Sequence, residues 1–209
     1  MIKIFAYNRH SKSARALADE MDCYLVKHEN SRYRPKKGHY VINWGRGKDW
    51  LPATSLNKPV YVNDVVNKLR FFYNMDDAVE DRRPRIPDWT TDIEVARGWA
   101  RDGRRVVVRR LLNACEGRGI EIHDQPDQIP QAPLYVRYVP KDGEFRVHMV
   151  GGNIIDLQRK VLRRDADRET ANRTVRNTAN GYVFARNNIV VPEDVKTQAL
   201  LSLEASGLD

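Results

Sequence analysis

The sequence predicts a mixed α/β (α+β) protein, on three observations. Over residues 1–60 the periods run strand, helix, strand, strand, which is the pattern of a small parallel α/β unit. Farther along, Val106, Val107 and Val108 make a β-prone run that feeds two arginines and a loop with glycines at 117 and 119. Residues 144–160 then divide their polar and apolar side chains between two faces around Gly151-Gly152-Asn153, as an antiparallel hairpin does.

The first unit is read as follows. Residues 2–6 alternate as a strand, and Ser11 is placed to cap a helix on which Ala14, Leu17, Ala18 and Met21 share a face. Residues 23–26 form a second strand, residues 28–38 a charged, turn-rich link, and residues 39–43 a third strand. That strand runs into Asn43-Trp44-Gly45-Arg46-Gly47, and loops after the C-terminal ends of parallel strands line ligand crevices. The Gly-x-Gly there lacks the third glycine and the immediate helix of a dinucleotide fold, so a Rossmann site is set aside.

A single helix is expected over residues 64–79, with Val65, Leu69, Phe72 and Tyr73 on one side. Asp81-Arg82-Arg83-Pro84-Arg85 is a polar connector and the best candidate boundary. The expected division is residues 1–60, a helical connector over 61–85, then 86–140 and 141–209. Residues 86–89 read as a short strand, and 93–100 as a helix with Ile93, Ala96, Trp99 and Ala100 on one face, ended by Gly103.

The strand over 106–108 opens a loop whose glycines let backbone N–H groups converge on an anion, with Arg110 at its rim. A lone Gly-x-Gly also marks a plain hairpin turn, so this loop by itself leaves both readings open. Residues 134–139 form a further strand, closed by Pro140. A three-residue turn over 151–153 then sets Val150 opposite Ile154, His148 opposite Asp156, Arg146 opposite Gln158 and Glu144 opposite Lys160. One face carries those polar groups, and the other Phe145, Val147, Met149, Ile155 and Leu157. Such a face is either a solvated surface or the wall of a charged cleft. Residues 161–185 are charged and turn-rich, and a last helix spans 192–203 with Pro192 near its start.

Composition bounds the partners. The 209 residues suffice for one or two domains, and 41 % hydrophobic with 31 % charged residues is a soluble globular profile. No apolar run has the length of a membrane span, and the chain opens on a strand rather than a signal peptide. Cys23 and Cys115 are the two cysteines, they share no metal-ligand spacing with a histidine, and they fit a reducing cytoplasm. The net charge of +8 suits an anionic ligand or nucleic acid. No nucleic-acid module accompanies it, so the anionic ligand is preferred.

The order of these features over residues 85–209 resembles the ATP-grasp superfamily. It is nearest to carboxylate–amine ligases of the ribosomal-protein glutamate ligase type and to their compact phage-encoded relatives. The resemblance implies a two-lobed ATP-grasp-like domain after the N-terminal parallel unit, with 86–140 the small lobe and 141–209 part of the large lobe. It implies that Arg110 takes the place of a phosphate-binding lysine. Cys115, Glu116, Gly117, Arg118 and Gly119 become the glycine-rich loop over the triphosphate, and Tyr138 and Val139 the hinge that reads adenine. Glu144 and Arg146 fall on the acid-x-Arg pair, and Lys160 near a further basic position. Arg176 and Asn177 fall where an arginine steadies the acyl phosphate, with Arg173 a rival because the family's pair is spaced by one residue. Asn43 and Arg46 are implied to face the cleft.

The resemblance further implies ATP and Mg2+ as cofactors, a carboxylate and an amine as substrates, and a cytoplasmic site of action, the host's if the chain is phage-encoded. The family holds its metal on a strand with Asp and another with Glu-x-Asn. This sequence stops at Gly207-Leu208-Asp209, where the first of these is due, so the metal ligands are unknown and the expected large lobe is incomplete. A sheet edge left open in this way suits a partner chain or a second copy. Two rival functions follow: a non-catalytic binding or assembly protein with an ATP-grasp-like shell, and a basic nucleic-acid-binding protein.

Overall fold

The structure, a computed structural model, describes residues 1–8, 10–26, 32–34, 36–45, 55–114 and 117–209. The chain forms two compact units, one of Met1–Asn67 with Ser206–Asp209 and one of Lys68–Ala205.

In the first unit β1 (Ile2–Ala6) lies between β2 (Tyr24–Val26) and β3 (Tyr40–Trp44), parallel to both, and β3 pairs with the short parallel β4 (Ser55–Leu56). Alternation along β1 explains the layering. Ile4 and Ala6 pack against Ala14 and Ala18 of α1 (Lys12–Glu20), while Phe5 on the other face meets Val26 and Val41. The Ser11 side chain accepts from the Ala14 N–H at 3.2 Å, the expected N-cap. Asn43, implied to face the cleft, is buried within the first unit: it is 1 % exposed and donates through Nδ2 to the Asn57 carbonyl at 2.7 Å. A buried amide must be satisfied within the protein, and this one ties β3 to the turn after β4. Arg46 lies outside the described residues.

The helix expected over 64–79 is two helices, α2 (Pro59–Val66) and α3 (Lys68–Asp76). Asn67 between them is extended, at φ −75° and ψ 113°, and Pro59 sits at the start of α2. Proline supplies a helical φ and needs no hydrogen-bonded N–H there, so α2 begins earlier than periodicity alone suggests.

The second unit is built on two antiparallel sheets. The first runs β5 (Trp89–Thr90), β8 (Leu134–Arg137), β6 (Val106–Arg109), β7 (Ile120–His123). On one face Val106, Val108 and Tyr135 pack on Ala96 and Ala100 of α4 (Ile93–Arg101), which Asp92 caps. On the other, Leu134 and Val136 pack with Phe72 of α3. The Tyr135 hydroxyl accepts from the Ala132 N–H at 2.7 Å and donates to the Pro130 carbonyl at 3.0 Å, so a fully buried tyrosine has its polar end satisfied. β7 was not foreseen; it returns antiparallel to β6, so the glycine-rich segment lies in a hairpin connection.

The second sheet runs β11 (Tyr182–Ala185), β10 (Asn153–Leu162), β9 (Phe145–Val150). Its tip corrects the expected register. Asn153 pairs with Val150 and Ile154 with Met149, and the turn is the two residues Gly151 and Gly152, at φ +54° and +74°. Two successive positive-φ glycines suit a tight hairpin turn with the strand twist. An irregularity between Ile154 and Asp156 then absorbs one residue, Ile155, which is 65 % exposed rather than on the apolar face. Beyond it the expected pairs appear: His148 with Asp156 and Arg146 with Gln158, and the Lys160 N–H donates to the Glu144 carbonyl. The last helix, α5 (Glu193–Ser206), is held to the 82–85 segment by Arg85 with Asp194 and by Arg82 with Glu204 at 2.6 Å.

Candidate functional site

Within the second unit a cavity of about 1140 Å3 opens between the two sheets. The inner faces supply Val107, Ile120, Ile122, Val136 and Val139 as an apolar floor, with Tyr182 and Phe184 from β11. Around that floor stand Arg109, Arg118, Arg137, Lys141, Arg146, Lys160 and Arg176, and Glu144 is the one carboxylate among the described lining residues. An apolar slot rimmed by cations suits a ligand with a flat ring and several negative charges.

Strand parity decides which arginine enters. Val107 and Arg109 share the cavity face of β6, opposite Val106 and Val108. The Arg109 Nε is buried without a hydrogen-bond partner among the described residues, and burial pulls the guanidinium's pKa below its usual value. A charged group withdrawn from water in this way is stabilised by an anion. Arg110, the expected phosphate ligand, is not among the lining residues. It pairs with Glu121 of β7, which holds its pKa up and draws the Glu121 carboxyl down.

The glycine-rich segment is partly within view. Cys115 and Glu116 lie outside the described residues. Gly117 and Arg118 line the cavity, and a Cβ on Gly117 would sit 3.6 Å from the Asn177 amide. Gly119, at φ +70°, accepts the Arg110 N–H through its carbonyl at 2.8 Å and abuts Leu111. Tyr138 and Val139 line the cavity at the end of β8. The Tyr138 N–H is taken by the Arg105 carbonyl at 2.9 Å, and the Arg105 guanidinium lies 3.9 Å from the Tyr138 ring centroid.

On the opposite wall Glu144 is gripped from two sides. Lys160 Nζ donates to its Oε1, and Lys141 Nζ to its Oε2 at 2.9 Å. Burial pushes the carboxyl's pKa up, but the hydrogen bonds from Lys160 and Lys141, with their charges, outweigh it and leave the pKa below the ordinary value. Lys160 also donates to the Arg176 carbonyl at 2.7 Å. Arg146 stacks over Phe184, 3.7 Å from its centroid.

The 172–182 loop closes the far side and is organised by its own asparagines. Asn172 Oδ1 accepts from the Thr174 and Val175 N–H groups, and Asn177 Oδ1 accepts from Asn180 N–H at 2.9 Å. Arg176 donates to the carbonyls of Lys141 at 2.9 Å and Arg173 at 3.1 Å, so it fastens this loop to the segment before β9. Arg173 does not line the cavity.

The sequence therefore pointed to cavity residues at Gly117, Arg118, Tyr138, Val139, Glu144, Arg146, Lys160, Arg176 and Asn177, while Arg109, Arg137 and Lys141 were not singled out. Period-two parity from Val107 was the signal available for Arg109.

Magnesium does not fit what is present. Among the described residues no group of three or more His, Cys, Asp or Glu side chains is placed to hold a metal ion. The cavity's carboxylate has both oxygens engaged by lysines. A nucleoside polyphosphate does fit the cations and the apolar floor.

The fold has clear counterparts. The structure of the ATP-grasp ligase PsnB complexed with a minimal precursor matches with a TM-score of 0.65 and 11 % identity, over 99 % of this chain and 82 % of that one. D-alanine–D-alanine ligase from Bacillus anthracis matches at 0.59 and 11 %, over 99 % and 78 %. A RimK domain ATP-grasp protein from Sphaerobacter thermophilus matches at 0.58 and 12 %, over 100 % and 83 %. The chain has the ATP-grasp fold, with its parallel N-terminal sheet and two antiparallel lobes. No family model matches the sequence, and no curated protein matches it. Among the described residues no helix is long and apolar enough to cross a membrane.

Proposed function

We propose that the chain is an ATP-dependent carboxylate–amine ligase working through an acyl phosphate, of the ribosomal-protein glutamate ligase type. The order of motifs over 85–209 supports the compact phage-encoded branch of that type, acting in the host cytoplasm. The observation that carries the reading is Arg109, half-buried on the cavity face of an ATP-grasp sheet, with a buried Nε that has no partner among the described residues. In this reading residues 86–140 are the small lobe and 141–209 part of the large lobe.

Tyr138 and Val139 take the adenine edge, and Val107, Ile122 and Val136 its faces. Arg109, Arg118 and the backbone around Gly117 and Gly119 hold the phosphates. A substrate carboxylate oxygen attacks the γ-phosphorus, the bond to the β-phosphate oxygen breaks, and ADP leaves. The amine nitrogen then attacks the acyl carbon, inorganic phosphate departs, and the amine gives up its proton to solvent. Arg146 and Lys160 stabilise charge on the transferring phosphoryl group, where fixed cations act without reorganising. Arg176 and Asn177 hold the loop over the reacting end. PsnB is described in complex with a precursor; for this chain a peptide-borne carboxylate or amine is the corresponding proposal.

A second reading, a nucleotide-binding protein without turnover, is favoured by Glu144 and Arg176 being engaged by lysines and backbone carbonyls respectively. ADP release from ATP, measured with pools of amino acids and peptides, separates the two. Release stimulated by a carboxylate together with an amine is expected. ATP binding with no stimulated release would leave the non-catalytic reading standing.

A further inference from the structure

We propose that this cavity takes its nucleoside polyphosphate without a divalent cation, arginines and lysines neutralising the phosphates where a metal ion otherwise would. The inference rests on the nucleotide-binding reading above and adds the ionic form of the ligand.

A magnesium ion demands near-octahedral oxygen ligands and is ordinarily anchored to protein by one or two carboxylates as well as to phosphates. Glu144 is the carboxylate available among the described lining residues, and each of its oxygens already accepts a lysine. Opening it to a metal breaks both pairs and sets a dication beside Lys141 and Lys160. Among the described residues no acidic or histidine cluster replaces it.

The positive charge that a metal would bring is already built in. Arg109 stands on the floor strand with a buried Nε that no group among the described residues accepts from, and Arg118, Arg146 and Lys160 face the same space. A guanidinium offers phosphate a planar fork of donors, so arginines can neutralise a polyphosphate and orient it together. The magnesium complex of ATP carries about two fewer negative charges than free ATP, so a field of like-signed side chains draws it in less strongly. The chain then discriminates for the metal-free form.

The test is calorimetric titration of ATP into the 209-residue chain, in EDTA and again with magnesium in excess over nucleotide. The expected result is a Kd several-fold tighter in EDTA than in magnesium, and at least tenfold weaker binding in EDTA for Arg109→Ala. Arg109→Lys keeps the charge at the same point and should restore part of the loss; a folded Arg109→Ala is verified by circular dichroism. Binding as tight or tighter with magnesium overturns the inference and leaves the nucleotide-binding reading intact. Binding in EDTA that ignores Arg109→Ala overturns it as well, because the ligand then sits elsewhere. No binding in either buffer removes both the inference and the reading beneath it.

Discussion

Glu144 is under two opposing pulls, and their balance gives a pH dependence. Burial favours its neutral form, while Lys160 and Lys141 favour the carboxylate and prevail, so its folded pKa lies below the ordinary 4.5. A depressed folded pKa contributes stability that is fully present above the unfolded value and is lost as pH falls through the folded one. Other carboxylates are also drawn down by ion pairs, Asp156 by Arg186 first among its causes, so the wild-type melt alone is not diagnostic. The comparison with Glu144→Gln is. The wild type should melt above the variant at pH 7, and that gap should close as pH drops below about 4.5. A gap that stays constant down to pH 3 would mean the lysines add nothing through the charge of Glu144. The neighbouring arginines show what composition hides. Arg109 and Arg110 are the same residue type and adjacent in sequence. Side chains alternate along β6, so Arg109 at its end enters the cavity with Val107, while Arg110 just beyond it meets Glu121. Setting a cation at the rim of the glycine loop favoured Arg110, and counting from the buried valines gives Arg109.

Turns and hairpins are where local chemistry was readable in part. The polar and apolar faces of β9 and β10 follow from period two, and the pairs His148–Asp156 and Arg146–Gln158 stand as the alternation dictated. The tip does not, because a two-residue glycine turn plus one absorbed residue gives the same register beyond Asp156 as a three-residue turn without it. Nothing in the alternation separates the two arrangements. The break between α2 and α3 was equally hidden, since Asn67 is neither proline nor glycine and the apolar spacing runs through it. The β6–β7 connection supports a sharper statement. Gly119 lies at φ +70°, and a Cβ there would come within 2.8 Å of the Leu111 Cγ, under van der Waals contact. Gly119→Ala should therefore destabilise the protein by about 1–3 kcal/mol through the strained backbone, with the clash in addition. Chemical denaturation measures it: a midpoint lowered with an unchanged slope is the expected outcome, and an unaltered midpoint would mean that the hairpin relaxes freely. Gly117 also has positive φ, +82°, but a Cβ there meets no described residue nearer than 3.6 Å, so the cost of Gly117→Ala should come mainly from the backbone.

The charge of the whole chain is +8, and by itself it distinguishes poorly between nucleotide and nucleic acid. Its placement is more informative. Several of the cations face one cavity in the Lys68–Ala205 unit, and the strand that carries Arg109 packs its opposite face, Val106 and Val108, into a buried core. A bound polyphosphate would bridge β6, the β8 end, β9 and β10, and so link sheets that are otherwise held by their own ladders. Native-state amide exchange reads this directly. A ligand that binds only the closed form slows exchange through every opening that disrupts the site, by about a hundredfold at a hundred times its Kd, equivalent to about 2.7 kcal/mol. With ATP the slowing should fall on 106–109, 134–139, 144–148 and 156–160, the segments that contribute Arg109, Tyr138, Glu144, Arg146 and Lys160. Arg109→Ala should abolish it at the same nucleotide concentration. Slowing restricted to Met1–Asn67, or spread over exposed arginines outside the cavity and erased by moderate salt, would instead assign the charge to a surface that binds polyanions without enclosing them. The gathering of these cations around one apolar floor, more than the number of arginines, is what makes a small nucleotide the better fit.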